Sequence, residues 1–111
     1  MAKASSTLST RTLLTLQTFG GMIRAARLER GMPQQELAER LGISRQTVSA
    51  LEKGDAKVSI GTVFEAAAIV GIPLLADNPR DLQRLATTVA GLASLLPERA
   101  RHLQGELNDD F

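Results

Sequence analysis

An arginine and a glutamine lie side by side at positions 45 and 46, directly after Ser44. Arginine can form two hydrogen bonds with O6 and N7 of guanine, and glutamine can form two with N6 and N7 of adenine. Because serine favours the position before a helix, where it caps free N–H groups, the pair would occupy a first helical turn. That turn is the part of a recognition helix that enters the major groove of DNA. We therefore predict that Arg45 and Gln46 contact base edges; the alternative is a helix face exposed to solvent.

The residues on either side of this pair have the spacing of a helix-turn-helix. Ala38 supplies a small side chain where two steeply crossing helices approach, and Gly42 suits a short turn that needs a positive φ. Ile43 would fill the turn from the inside. The apolar side chains expected to face a common core are Leu37, Leu41, Val48 and Leu51. This register leaves the first turn of the second helix free to contact DNA.

Further DNA contacts are predicted around the same two helices. Thr47 offers a methyl group to thymine and a hydroxyl group to phosphate, whereas Ala50 is small and can contact only a methyl group. The N-terminus of the preceding helix presents free N–H groups and the positive end of its dipole to phosphate. The residues predicted to contact phosphate are Gln34, Gln35, Ser44, Ser49, Lys53 and Lys57.

Apolar periodicity, capping residues and glycines divide the chain into five short helices. The first starts at about Thr15, where Gly20 and Gly21 weaken it, and ends at Gly31. With their caps and stops included, the other four are predicted over residues 33–42, 44–54, 59–71 and 78–97. No segment alternates polar and apolar residues with period two, so we predict an all-α fold. The predicted parts are a flexible arm over 1–12, a helix-turn-helix DNA-binding domain over 13–75, and a C-terminal helix with an acidic tail over 76–111.

Length and composition exclude several classes of protein. The 111 residues suit one domain with a short appendage, and an aromatic content of 3% requires a core of aliphatic side chains. There is no cysteine, and the one histidine, His102, has no second histidine near it, so we predict no metal site, no cofactor and no enzyme activity. No apolar run approaches the ~20 residues of a membrane span, and no clear signal peptide is present. A cytoplasmic, nucleoid-associated protein is the default expectation.

The distribution of charge is more informative than its sum. Residues 1–54 carry eight basic and four acidic side chains, a net charge of +4, whereas residues 55–111 carry five basic and eight acidic ones, a net charge of −3. This asymmetry permits a basic surface toward nucleic acid. A random distribution would explain it equally well, so the charge alone does not decide the function.

Residues about 19–74 resemble the lambda-repressor-like domain of the Cro and XRE regulators. The matching stretches are IRAARLERG, QQELAERLGISRQTVSALEKG and VSIGTVFEAAAIVGI. The resemblance implies a five-helix domain, of which residues 19–74 cover the first four helices; in this chain a flexible arm precedes them and the C-terminal helix follows. It also implies a repressor that binds a palindromic double-stranded DNA operator as a homodimer, with half-sites about one helical turn (~34 Å) apart.

The resemblance also implies roles for individual residues. It assigns base contacts to Arg45, Gln46 and Ala50, and a phosphate contact to Gln34. The chain departs from many relatives at Pro33, where they have serine or threonine. A side-chain cap is lost there, so phosphate binding at that helix start would depend more on Gln34 and the backbone.

A structural pair is implied as well. The resemblance suggests that Arg27 of the first helix bonds to Glu52 of the third. Such a pair would hold the recognition helix against the first helix, and a partly buried charge is tolerated only when it has a partner. The alternative is that both are exposed surface charges.

The last helix has an apolar row with spacings of three and four residues. Its members are Leu82, Leu85, Val89, Leu92 and Leu96. The row covers about two heptads, fewer than the three or four that identify a coiled coil. One interpretation is packing on the domain's own core. We favour dimerisation across a two-fold axis, because small residues beside the row let backbones approach closely.

A narrower resemblance concerns residues 57–62, KVSIGT, which are followed by an apolar helix and a short acidic tail. This arrangement is similar to HipB-like antitoxins, which pair with HipA-type kinase toxins and repress their own operon. The resemblance implies an autoregulatory antitoxin with a HipA-like toxin as its partner, bound through the last helix and the tail. The alternative is a stand-alone XRE-type repressor with no toxin. A helical scaffold that binds no DNA is a third possibility, against which the capped Arg-Gln pair argues.

Overall fold

The computed structural model describes residues 7–96. Five α-helices form there, namely α1 (Thr10–Glu29), α2 (Gln34–Leu41), α3 (Arg45–Glu52), α4 (Ile60–Ile69) and α5 (Pro79–Leu95). No β-strand occurs among these residues, and the predicted all-α fold is confirmed. The chain divides into two compact units between Leu74 and Leu75, so that α1 to α4 form one unit and α5 belongs to the other.

Side-chain caps explain where most of these helices begin. Ser44 Oγ accepts a hydrogen bond from the Thr47 N–H at the start of α3, and Ser59 caps α4 in the same way. Asn78 caps α5. At α2 the capping position is occupied by Pro33, which makes no side-chain hydrogen bond. These starts agree with the sequence prediction because capping is a local property of a few adjacent residues.

The turn between α2 and α3 depends on Gly42. Its φ is 69°, in the left-handed region that favours glycine, and this conformation ends α2. The Ile43 N–H then donates to the Ala38 carbonyl at 3.0 Å, which closes the end of the helix. The result is the short turn that the helix-turn-helix spacing predicted.

The core of the first unit is aliphatic, as the composition indicated. Its buried members are Ile23, Met32, Leu37, Ala38, Val48, Leu51, Ala66, Ala67 and Val70. Leu41 and Ile43 are half-buried and pack against this cluster. Helix α3 therefore rests on α1 and α2 through residues on one of its faces.

The start of α1 differs from the prediction. The helix begins at Thr10, about five residues earlier than expected, so residues 10–12, assigned to the flexible arm, are helical. Ser9 Oγ caps it by accepting from the Thr12 N–H at 3.1 Å. The first three residues of the helix are polar, so apolar periodicity did not include them, although the capping serine is visible in the sequence. Residues 1–6 of the predicted arm, Pro97 and the acidic tail lie outside the described residues.

No helix within residues 7–96 is both long enough and apolar enough to cross a membrane. In the same range, no group of histidine, aspartate and glutamate side chains is arranged to hold a metal ion. His102 lies outside this range.

Candidate nucleic-acid interface

Helix α3 has one buried face and one exposed face. Val48 is completely buried and Leu51 is 3% exposed, so both hold the helix in the core as predicted. Arg45 and Gln46, in the first turn, are exposed. Neither side chain hydrogen-bonds to another residue within 7–96. Both side chains are therefore available to a ligand.

The first turn of α3 is held by a pair of hydroxyl groups. Ser44 Oγ accepts a hydrogen bond from the Thr47 N–H at 3.1 Å, and the two side-chain oxygens lie 2.9 Å apart. Thr47 is half-buried and Ser44 is exposed. Since Ser44 caps the helix, it fixes where the first turn begins and hence where Arg45 and Gln46 leave the helix. The predicted phosphate contact of Ser44 would come in addition to this capping role.

The remaining predicted DNA contacts lie at the start of α2, within α3 and in the segment directly after α3. Lys53, which directly follows α3, and Lys57, in the next loop, are exposed. Gln35 is exposed in the first turn of α2 and donates only a long hydrogen bond of 3.4 Å to Glu39. Gln34, Ser49 and Ala50 are half-buried, as Thr47 is.

A buried carboxylate joins three helices behind this surface. Glu52, at the end of α3, accepts hydrogen bonds from Arg27 Nε at 2.5 Å and Arg27 Nη2 at 3.0 Å. Arg27 Nη1 also donates to the Met32 carbonyl at 2.7 Å. Arg27 is 5% exposed and Glu52 is 6% exposed. The ion pair implied by the resemblance is therefore present, and it is buried rather than on the surface.

Gln34 connects the start of α2 to the same carboxylate. Its Nε2 donates to Glu52 Oε1 at 3.1 Å. Because a carboxylate can only accept, Glu52 determines which end of the Gln34 amide faces it. The two residues are 18 positions apart, and no local pattern in the sequence links them. The predicted phosphate contact of Gln34 would therefore be made by a side chain that Glu52 already orients.

Gly20 has a role that the sequence interpretation missed. It lies in the interior of α1 and is buried, and a Cβ atom there would be 2.5 Å from the Leu51 carbonyl oxygen of α3. It was expected to weaken the start of the first helix, but it marks a close approach of two helices. A glycine inside a helical pattern was the available signal, since such a residue often has a packing reason.

Helix α5 exposes its row of apolar side chains. The members of the row, the last of which directly follows the helix, are between 36% and 55% exposed: Leu82, Leu85, Val89, Leu92 and Leu96. Their spacing of three and four residues lines them up on one side of the helix. No residue of α5 is buried, so this face is accessible to another molecule.

Comparisons with known proteins are consistent with this geometry. A family model described as Helix-turn-helix matches residues 23–76, which include α2, α3 and α4. An HTH-type transcriptional regulator of Methanothermobacter thermautotrophicus is 46% identical over 50 residues, which are 45% of this chain and 72% of that protein. The cryptic phage CTXphi transcriptional repressor RstR of Vibrio cholerae is 36% identical over 56 residues, half of each chain.

A third relative is an HTH-type transcriptional regulator of Methanocaldococcus jannaschii, 40% identical over 43 residues, which are 39% of this chain and 65% of that protein. The chain thus covers half to about three quarters of the length of these relatives. No solved structure matched it significantly.

Proposed function

The chain belongs to the helix-turn-helix family of transcriptional regulators, and from this premise we propose that it is a sequence-specific DNA-binding repressor that acts as a homodimer on a palindromic operator. One observation carries the proposal. Arg45 and Gln46 are exposed and have no partner within residues 7–96, while the opposite face of the same helix is buried. An eight-residue helix is marginal in water by itself, so its orientation comes from that buried face.

Base contacts would come from the first turn of α3. Arg45 is suited to guanine and Gln46 to adenine, since each can form two hydrogen bonds to the respective base edge in the major groove. Thr47 can add a methyl contact to thymine. Ala50, one turn further, has only a methyl group, so base readout is concentrated at the start of the helix.

Phosphate contacts would fix the protein on the duplex. The start of α2 offers free backbone N–H groups together with Gln34 and Gln35, and Lys53 and Lys57 are exposed beyond the other end of α3. Ser44 and Ser49 complete the proposed set. These groups bind any sequence, so they position the base-contacting side chains without selecting the operator.

Repression follows from occupation of the operator. The Vibrio relative is named a transcriptional repressor, which favours repression over activation for this chain. The proposed site of action is the DNA in the cytoplasm.

The proposed homodimer would form through α5. The apolar row of α5 extends from Leu82 to Leu96, about 21 Å along a helix, and its members are exposed. A second copy of the same helix, related by a two-fold axis, would cover the row with an identical one. Two-fold symmetry in the protein then requires two-fold symmetry in the operator, with recognition helices about 34 Å apart.

A second candidate role is that of an autoregulatory antitoxin bound to a HipA-type kinase toxin. It is supported by the resemblance of residues 57–62 and by the exposed row on α5, which a toxin would then cover instead of a second copy. The stand-alone repressor ranks first because residues 57–62 have a structural role that explains them without a toxin: Ser59 caps α4 by accepting a hydrogen bond from the Thr62 N–H. Coexpression with an adjacent kinase-like gene distinguishes the two roles, since an antitoxin copurifies with its toxin in a fixed ratio.

Selection of duplexes from a random DNA pool tests the main proposal. The selected sequences should contain an inverted repeat. Arg45→Ala and Gln46→Ala should each lose about 1–3 kcal/mol of binding free energy for the best duplex. Each variant should also lose its preference for one particular base at one position of each half-site. Lys57→Ala should weaken selected and scrambled duplexes alike and reduce the salt dependence.

The matched controls lie on α5, outside its apolar row. Arg80→Ala removes the same charge as Arg45→Ala, and Gln83→Ala removes the same amide as Gln46→Ala, each from an exposed position. If the α3 variants bind the selected duplex as tightly as these controls, the base-contact assignment is wrong.

A further inference from the structure

The backbone of α1 touches the end of α3 at two glycines. A Cβ atom built on Gly20 would lie 2.5 Å from the carbonyl oxygen of Leu51 and 2.7 Å from that of Glu52. From the other side, a Cβ atom on Gly54 would lie 2.5 Å from the backbone nitrogen of Gln17. Real Cβ atoms essentially never approach closer than 3.0 Å. No side chain therefore fits at either of these two points of contact.

Two other glycines provide a comparison. Gly21 is the next residue of α1, and a Cβ atom there would meet nothing within 4 Å. Gly31 shares a positive φ with Gly54, +64° against +82°, but a Cβ atom on Gly31 would also meet nothing within 4 Å. Gly20 lies inside a helix, where alanine is the more favourable residue. Neither helix propensity nor turn conformation explains Gly20, whereas the close contact does.

The contact lies at the same end of α3 as the buried ion pair. Arg27 of α1 attracts the Glu52 side chain, while Gly20 of α1 meets the Glu52 backbone. An ion pair tolerates small changes in separation, but two touching backbones set a minimum distance. Together they hold the last turn of α3 at one distance from α1. Arg45 and Gln46 lie at the other end of the helix, about 10 Å along its axis.

We propose that Gly20 and Gly54 are positioning residues that set the angle at which α3 presents Arg45 and Gln46 to DNA. The proposal rests on the DNA-binding function proposed above. It also extends the DNA-binding unit beyond the family match, because Gly20 precedes residues 23–76. Residues in the N-terminal half of α1 then help to orient the recognition helix.

A methyl group at Gly20 would move α3 far enough to matter. Ordinary van der Waals contact begins at 3.4 Å, and the Leu51 oxygen lies 2.5 Å from the Cβ position, so the gap must widen by 0.9 Å (3.4 − 2.5). If α3 tilts about its buried Val48, its first turn moves by a similar amount in the opposite direction. Paired hydrogen bonds to a base require placement within about 0.5 Å. Attraction to phosphate depends mainly on charge and is not selective for sequence.

Two matched pairs of variants test the proposal. Gly20→Ala adds a Cβ atom in the contact, and Gly21→Ala adds one beside it in open space. Gly54→Asn and Gly31→Asn both introduce a residue that tolerates a positive φ, but only the first adds a side chain in the contact. Each variant is titrated with a duplex selected from a random pool by the wild-type protein, and with a scrambled duplex of the same length. Unfolding curves in the same buffer identify the variants that are folded.

We expect Gly20→Ala and Gly54→Asn to lose at least about tenfold in affinity for the selected duplex. Their affinity for the scrambled duplex should stay within about twofold of the wild type. Gly21→Ala and Gly31→Asn should keep both affinities. A merely structural role would not change the ratio of selected to scrambled binding in a folded variant.

The proposal is overturned if the folded contact variants keep the ratio of their controls. It is equally overturned if both contact variants are unfolded where the controls are folded, because the contact would then serve the fold alone. A failure of the DNA-binding function gives a different pattern. In that case Arg45→Ala also keeps the wild-type ratio, or the wild-type protein selects no sequence from the pool.

Discussion

Helices α3 and α5 have the same kind of amphipathic pattern but different surroundings. α3 spans eight residues and buries Val48, Leu51 and Glu52, whereas α5 spans 17 residues and buries none. In α3 the covered face fixes the polar face in space, so exposed polar side chains can form a binding site. In α5 the apolar face is itself exposed, so that face is the candidate contact surface. An amphipathic pattern identifies the face that needs a partner, but it does not identify the partner.

The largest expected effect comes from the buried charge at the end of α3. Glu52→Ala should lower the free energy of unfolding by about 3–5 kcal/mol, because it leaves the Arg27 charge buried without its partner. The matched control is Glu36→Ala, which breaks the exposed ion pair with Arg40 on α2 and should cost less than about 1 kcal/mol. Urea unfolding at one pH measures both. Equal losses of unfolding free energy for the two variants would mean that the buried ion pair stabilises the end of α3 no more than an exposed pair would.

The second test exchanges the same side chain in the two helices. Leu51→Ala in α3 should cost about 2–5 kcal/mol, since it removes a buried side chain and leaves a cavity. Leu92→Ala in α5 should cost the monomer less than about 0.5 kcal/mol, because Leu92 is 55% exposed. Both are measured by urea unfolding at a concentration too low for association. A large loss of unfolding free energy for Leu92→Ala would contradict the comparison, because the apolar row of α5 would then be packed as the buried face of α3 is.

Local features of this fold could be predicted from the sequence, and long-range features could not. The caps at Ser44, Ser59 and Asn78 and the left-handed Gly42 depend on a few adjacent residues, and each was identified. The buried face of α3 followed from its period. The early start of α1 was missed because its first three residues, Thr10 to Thr12, are polar, and a helix need not be apolar where it faces solvent.

The candidate site likewise has local features that could be predicted from the sequence and long-range features that could not. Arg45 and Gln46 were singled out because no structural duty remained for them once the core positions were assigned. The Arg27–Glu52 pair came from the family resemblance, since spacing alone does not fix a contact between residues 25 positions apart. The bond from Gln34 to Glu52 and the contact at Gly20 depend on how helices cross, and no pattern within one helix contains that information.

The third test addresses what covers the apolar row of α5. Leu92→Arg puts a charge in the middle of the row and should weaken the proposed dimer at least tenfold, about 1.4 kcal/mol, because the charge would have to be desolvated. Thr87→Arg adds the same charge on the opposite side of the helix and should leave the dimer intact. Sedimentation equilibrium measures the two dissociation constants. If Leu92→Arg associates as the control does, or if the wild-type protein is a monomer at micromolar concentration, α5 does not form the dimer.

The smallest expected effects come from removing the side-chain caps of α3 and α5. Ser44→Ala removes the acceptor of the Thr47 N–H at the start of α3, and Asn78→Ala removes the acceptor of the Asp81 N–H at the start of α5. Each substitution should destabilise its own helix by about 1 kcal/mol.

Because α3 is anchored in the core, the loss at Ser44 should lower hydrogen-exchange protection throughout α1 to α4. The α5 helix belongs to the other compact unit, so the loss at Asn78 should lower protection in α5 alone. Reduced protection of the Val48 and Leu51 amides in Asn78→Ala would contradict this, because α5 would then contribute to the stability of the recognition helix.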